Sequence, residues 1–338
     1  MHLSPYQRYF WGKFKWYVLT LVVAVALNFF LPRMIRGNPV DLIVSQVMGG
    51  MADSDSTKVV YKQFAQQFGL DKPLIVQFFI YIGNLFKGQM GVSIGQYPRT
   101  VDEILSISIW WTIGLQLPAI LLGWLIGNAL GALAAYKKGI FDKTLFPASI
   151  FISSIPVFSL SIILLYQVCL VWGWFPIGGG YGYDILPSWS LKFFASILRH
   201  YQMPFLSIVL VIIGGQAIGM RSMSIYELNE DYVLYGKLMG VRDSKIARYI
   251  FRNAILPQVS GLALALGRVV AGALITEVVF NYPGIGTWLF TAIRTLDYPL
   301  ISGCTLLITL TLLIANFAIE LIYGLIDPRV KAAHTEEG

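Results

Sequence analysis

Six stretches of this sequence are apolar over the length a helix needs to cross a bilayer: residues 16–34, 107–136, 144–172, 204–223, 258–280 and 300–326. A spanning helix takes about 20 mostly apolar residues. In hydrocarbon every backbone N–H and C=O must be satisfied from within the chain, so such a run is a helix or part of a closed barrel. Barrel strands are about 10 residues long and alternate apolar with polar side chains, and these runs do neither. The expected fold is all-α, a polytopic membrane protein of six transmembrane helices. With 56% of its residues apolar and only 13% charged, the chain has too little polar surface for a soluble protein of this size.

Charge sets the expected orientation. The first run is preceded by Arg8, Lys13 and Lys15 and lacks a small-residue cleavage site, so it is read as a retained span with its N-terminus in the cytoplasm. Counting spans from there places Lys137, Lys138, Lys143, Arg221, Lys237, Arg242, Lys245, Arg248, Arg252, Arg329 and Lys331 on the same side. The short segments expected outside carry only Lys192, Arg199 and Arg294. The net charge of +7 therefore reports membrane orientation rather than nucleic-acid binding, for which no base-stacking module is visible.

The organisation expected is a cytoplasmic interfacial segment (1–15), a first span (16–34), a helical extracytoplasmic subdomain (35–106), a five-helix core (107–326) and a cytoplasmic tail (327–338). In the subdomain, Val60, Phe64 and Phe68 share one helix face. Asp71 as cap and Pro73 open a second helix with Leu74, Phe78, Ile82 and Leu85 on one side. Pro147 and Pro156 are expected to interrupt the third span, as a pathway-lining bend or a packing kink.

Between the fourth and fifth spans, residues 221–257 read as helix, Gly turn, helix and Leu-Pro stop. Asn229, Glu230 and Asp231 can cap and charge a short helix, Gly240 permits a turn, and Asp243 can cap the next helix. That helix carries Arg242, Lys245, Arg248 and Arg252 apart from Ile246, Ile250 and Ala254, and is expected to end at Leu256 and Pro257. Such a loop either sets orientation alone or presents a short helix to a soluble partner.

No nucleophile, base and orienter assemble from the sequence, and no phosphate-binding G-x-x-x-x-G-K-[ST] loop is present. Energised work would thus draw on ATP hydrolysed by another chain. Arg268 and Glu277 are costly in hydrocarbon and are expected to face the bundle interior, water or a partner helix, as gate residues or structural pairs. Separated by nine residues, about 13 Å along a helix, they cannot pair with each other. The segment NYPGIG, with Asn281, Pro283, Gly284 and Gly286, reads as a turn that folds a segment back toward the outer mouth or as a plain loop. Cys169 and Cys304 give no metal spacing, and the three histidines are scattered.

Several segments in order resemble the B-type permease subunits of the dipeptide, oligopeptide and nickel family of ABC importers. They are GLDKPLIVQF, NLFKGQMGVSI, SIPVF, WGWFPIGG, HYQMP, NEDYVLYGKLMG, RNAILP, TEVVFNYPGIG, LDYP and LIYGLIDPR. The resemblance implies a type I importer permease fold and makes residues 221–257 the loop whose helix couples to a cytoplasmic ATPase. Gly240 matches the signature glycine, and Asp231, Tyr232, Gly236 and Lys237, with Val241 and Arg242 after the turn, fall in the coupling segment. Leu234, Tyr235 and Gly236 depart from the Glu-Ala-Ala pattern that names the loop. Implied partners are a second, C-type permease, ABC ATPases carrying ATP and Mg, and an extracytoplasmic binding protein. No cofactor is expected on this chain. Peptides are the expected cargo, with oligosaccharides or nickel chelates as alternatives. Pro156, Arg268, Glu277, Pro283 and Gly284 are pathway or gate candidates. A secondary transporter driven by an ion gradient is the competing class, and it calls for inverted repeats and paired broken helices.

Overall fold

The structure, a computed structural model, describes residues 5–35, 37, 40, 41, 44, 55–137, 139–267 and 274–326. Among these the chain is helical, with no strand beyond a single bridge between Val92 and Thr100. The helices are α1 (Pro5–Arg33), α2 (Asp55–Gln67), α3 (Leu74–Phe86), α4 (Val101–Lys137), α5 (Gly139–Ser154), α6 (Val157–Leu164), α7 (Leu191–Leu228), α8 (Asp231–Leu238), α9 (Asp243–Gly267), α10 (Leu274–Val279), α11 (Ile285–Arg294) and α12 (Tyr298–Ile326). A π-helical stretch, Leu165–Val171, continues α6.

Four helices in the described residues are long and apolar enough to span, five if the bent pair α5–α6 with its π-helical extension counts as one span. The expected fifth run, 258–280, is carried by the end of α9 and by α10, and residues 268–273 between them lie outside the described residues. Little of the span in α1 is buried, 6% of its apolar window, so its outer surface is left for lipid or a neighbouring chain to cover. Trp110, Leu125 and Phe151 likewise point outward from α4 and α5.

Two compact units are present. The first comprises Met1–Trp111 and Gly284–Gly338, the second Thr112–Pro283, and α4 runs from one into the other. In the first unit α1 packs along α12, with the Tyr17 and Phe317 rings 5.4 Å apart and the Ser302 hydroxyl donating to the Asn28 carbonyl at 2.8 Å. Phe29 is fully buried against Phe78 and Tyr81 of α3. The Phe64 and Phe68 rings stack at 6.1 Å and meet Tyr97 edge-on. Phe78, Ile82 and Leu85 are partly buried, while Leu74 is exposed. Asp71 does not cap α3: Pro73 holds that position with no side-chain bond, since its ring presets the extended-to-helical transition. The aromatic N-terminal segment is continuous with the first span in α1.

In the second unit α7 is the central helix, packed by α5, α6 and α9. It is 38 residues long, about 57 Å, and starts 13 residues before the expected span, because Ser190 caps it by accepting from the Phe193 N–H. Of the two prolines expected to interrupt the third span, only Pro156 does so. Pro147 lies inside a continuous α5, whereas at Pro156 the chain bends by 95°. Pro156 supplies no N–H and forces Ile155 away from helical geometry, and α6 restarts with Ser159 and Leu160 donating to the Pro156 carbonyl.

Close approach of α4 and α7 rests on Gly123, Gly127 and Gly131, spaced four apart on one face of α4. A Cβ on Gly123 would stand 2.7 Å from Ile212, one on Gly127 would stand 2.6 Å from the Gln216 side chain and 2.8 Å from the Ile213 carbonyl, and one on Gly131 would collide with the Ala217 carbonyl. Small residues at this spacing let membrane helices pack backbone to backbone.

Candidate functional site

The segment between α7 and α9 folds as a hairpin with α8 at its tip. Asn229 ends α7, its side-chain amide donating to the Ile225 carbonyl at 3.1 Å, so it does not cap α8. Glu230 takes the capping position in extended geometry without a side-chain bond, and Asp231 supplies the negative charge in the first turn. At the other end Gly240 has φ +72°, the left-handed conformation that glycine alone adopts freely. Its N–H donates to the Lys237 carbonyl and that of Val241 to the Gly236 carbonyl, both at 3.0 Å. This pair of bonds is a Schellman motif, which satisfies carbonyls left open at a helix C-terminus. A Cβ on Gly240 would meet nothing within 4 Å, so backbone conformation, not space, demands glycine.

The hairpin has its own small core. Val233 of α8 and Ile246 and Ile250 of α9 are buried together, with Leu228, Tyr232 and Val241 packed around them. The Tyr232 hydroxyl donates to Glu227 Oε2 at 2.7 Å and Asn253 Nδ2 donates to the same oxygen at 3.3 Å. Burial, then this carboxylate, pushes the Tyr232 phenol up to about 12. These contacts fix α8 to the ends of both long helices. Among the described residues its other side is exposed: Leu234, Tyr235, Leu238 and Met239 face outward, Met239 by 82%. Asp231 and Lys237 of α8, Arg242 of the turn and Lys245, Arg248 and Arg252 along α9 are also exposed. A Cβ on Gly236 would make only ordinary contact with Ile246, at 3.8 Å.

Two sequence expectations are corrected here. Asp243 is the first residue of α9 rather than its cap. Pro257 does not end α9, which runs on to Gly267; one missing backbone bond within a membrane helix is repaired by neighbours. The hairpin therefore passes without a break into the next apolar run.

Of the pathway candidates, Arg268 lies outside the described residues. Glu277 is fully buried in α10, beside Thr276. Five residues after the break at Pro156, the Ser161 hydroxyl donates to Ser207 of α7 at 3.0 Å and lies 3.2 Å from the Thr276 hydroxyl. This buried knot of three hydroxyls joins α6, α7 and α10 and brings the Pro156 and Glu277 segments together. Pro283 closes the second unit, after a turn in which Asn281 has φ 45°. Gly284 opens the first unit's return as the cap of α11. Cys169 packs against Met203 and Phe280, Cys304 is buried in α12, and both are free thiols.

Three contacts were missed by sequence reading. Asp142 of α5 receives Arg221 of α7 in a two-point ion pair, Nε to Oδ1 at 2.5 Å and Nη2 to Oδ2 at 2.6 Å, with the guanidinium 4.2 Å from the Phe146 ring centre. Buried Asp297 caps α12 through the Leu300 N–H at 3.1 Å and accepts from the Gly95 N–H at 2.9 Å and from the Ser93 hydroxyl, locking the MGVSIG segment to LDYP. The Gly179 N–H donates to the Phe280 carbonyl at 2.9 Å, joining WGWFPIGG to the end of TEVVF. The pairings are between residues far apart in sequence.

Comparison with known proteins gives a consistent picture. Residues 127–332 match the family described as binding-protein-dependent transport system inner membrane component. The chain is 31% identical over 322 residues to the di/tripeptide transport system permease protein of Pseudomonas aeruginosa, covering 90% of this chain and 93% of that one. It is 32% identical to a probable D,D-dipeptide transport system permease protein of Escherichia coli, covering 95% and 98%. Over 92% of this chain and 95% of the other, it is 29% identical to the glutathione transport system permease protein of Salmonella choleraesuis.

Proposed function

The chain belongs to the binding-protein-dependent transport system inner membrane components, and from that premise we propose that it forms half of the translocation pathway of an ATP-driven peptide importer, with α8 as its docking element. At the coarser level it is a multi-pass membrane permease subunit of an ABC importer. In the reading proposed, both termini and the α8 hairpin face the cytoplasm. A second, C-type permease completes the pathway, a binding protein delivers solute from outside, and two ATPase subunits hold ATP and Mg. This chain supplies no ATP site and binds no cofactor of its own.

The observation that carries the docking role is the exposed apolar tip of α8 on a hairpin fixed from behind. Leu234, Tyr235, Leu238 and Met239 offer surface that a groove can bury, while Val233, Ile246 and Ile250 make the helix move with α7 and α9. A docked partner biases a two-state permease only if its own geometry changes with nucleotide. Closure of the ATPases on ATP then shifts α8, and the hairpin core passes that shift to α7 and α9. Asp231, Tyr232, Gly236, Lys237, Gly240, Val241 and Arg242 are the coupling set. Pro156, Arg268, Glu277, Pro283 and Gly284 are the residues we propose for the pathway or its gate. Di- and oligopeptides are the proposed cargo, because the relatives' names speak of peptides. Oligosaccharides or nickel chelates are the alternative.

Crosslinking tests this reading. With Cys169 and Cys304 both buried, a Met239→Cys variant offers one accessible thiol. In membranes holding the permeases and ATPases, it is expected to crosslink to the ATPase subunit. Crosslinking confined to lipid or to the second permease would refute the docking role. Accumulation of solute by this chain in vesicles without ATPases would instead establish a secondary transporter.

A further inference from the structure

The Asp142–Arg221 pair lies where two parts of the second unit meet. Asp142 is in the first turn of α5, the helix that breaks at Pro156 and bends by 95° into α6. Arg221 stands ten residues before the start of α8, about 15 Å along the chain's helical path. Both side chains are about one-fifth exposed, and ion pairs so placed add little net stability. The geometry is nevertheless highly determined: two parallel N–H···O bonds fix the plane of the guanidinium against the carboxylate, and Phe146 covers its face. Lysine could offer the charge but not the two-point plane.

We propose that this pair is the joint that makes the broken helix α5–α6 follow the α8 hairpin. The inference rests on the docking role proposed for α8. Farther along, α5 and α7 meet where a Cβ on Gly214 would stand 2.8 Å from the Ser149 carbonyl, and α6 is held to α7 by Ser161 and Ser207. Those contacts are short side chains and backbone, which hold position along the helices. Asp142–Arg221 ties the end nearest α8 by a directional bond, so motion of α8 reaches α5 as rotation about α7 rather than slip past it. Asp142 and Arg221 are thus positioning residues for the bend at Pro156.

The test uses the assembled importer in lipid vesicles with its binding protein, measuring ATP hydrolysis and solute uptake together. Asp142→Asn and Arg221→Gln are expected to assemble and hydrolyse ATP at near the parent rate while uptake per ATP falls about fivefold or more, the scale of an ordinary coupling energy. The exchanged double variant, Asp142→Arg with Arg221→Asp, is expected to recover a substantial part of that ratio. If the neutral variants do not accumulate, Arg221→Lys keeps the charge and gives up the planar contact, and it too is expected to lower uptake per ATP. An unchanged ratio in the variants that assemble, or an exchanged variant no better than either single change, would overturn the proposal. Absence of ATP-driven uptake in the parent complex would overturn the docking reading and this inference with it.

Discussion

Replacing Gly240 asks whether the turn after α8 is held by backbone conformation or by room. At φ +72° an L-residue brings its Cβ toward the following carbonyl, at about 1–2 kcal/mol. Alanine bears that in full, asparagine bears less because it enters this region readily, and valine bears more because branching removes its remaining rotamers. Since nothing lies within 4 Å of the missing Cβ, no steric cost is added. If the free hairpin relieves the strain by opening the Schellman turn, docking must restore it. Affinity for the ATPase then falls by about 5- to 30-fold for Gly240→Ala at 25 °C, by a few-fold for Gly240→Asn, and furthest for Gly240→Val. The assay is equilibrium binding of the purified ATPase to permease in nanodiscs, with insertion checked by yield. A ranking by side-chain volume, asparagine below alanine, would show that space decides. Four equal affinities would show that docking makes no use of the turn.

Other substitutions have defined outcomes. Leu238→Ala with Met239→Ala removes exposed apolar surface, so stability should be unchanged while ATPase affinity in the same binding assay drops by about tenfold or more, as expected for losing about 1.5–3 kcal/mol of burial. Gly127→Ala forces a Cβ onto Gln216 and the Ile213 carbonyl and should destabilise the protein by about 1–3 kcal/mol, seen as a lower melting temperature in detergent. Gly114→Ala on the same helix, where nothing lies within 4 Å, should leave it in place. The Tyr232 phenol, raised from 10.0 to about 12, favours the folded state while protonated. That contribution is whole below about pH 10 and is lost as pH rises toward 12. The melting-temperature gap between the parent and Tyr232→Phe should therefore be constant from pH 7 to about 9.5 and shrink above it.

Hydropathy made the helices legible because lipid imposes a single requirement on every span, and α1, α4 and α12 follow directly from it. The α8 hairpin was legible for a second reason: charge, a glycine and an apolar stripe within 20 residues describe a local structure. Prolines read less well. Pro147, Pro156 and Pro257 each remove a backbone bond, yet only Pro156 breaks its helix, and the sequence around each residue does not announce the difference. The ends of α7 were missed at the N-terminal side because polar residues such as Lys192 and Arg199 extend a helix beyond the bilayer as easily as they form a loop. The Asp142–Arg221 pair, the Ser161–Ser207–Thr276 knot and the seat of Asp297 escape for a common reason. Each joins residues tens to hundreds of positions apart, and chain order says nothing of who meets whom.

The length of α7 has a mechanical consequence. About 57 Å of helix exceeds the roughly 30 Å of hydrocarbon a span must cross, and the glycine face of α4 bears on it past its middle, around Ile212 to Ala217. A rigid beam on such a fulcrum is a lever with unequal arms: tilting it by about 10° would carry the tip nearest α8 about 3.5 Å and the far tip about 6 Å sideways, from the arm lengths alone. A modest push at the tip nearest α8 would thus arrive at the opposite mouth with its direction reversed.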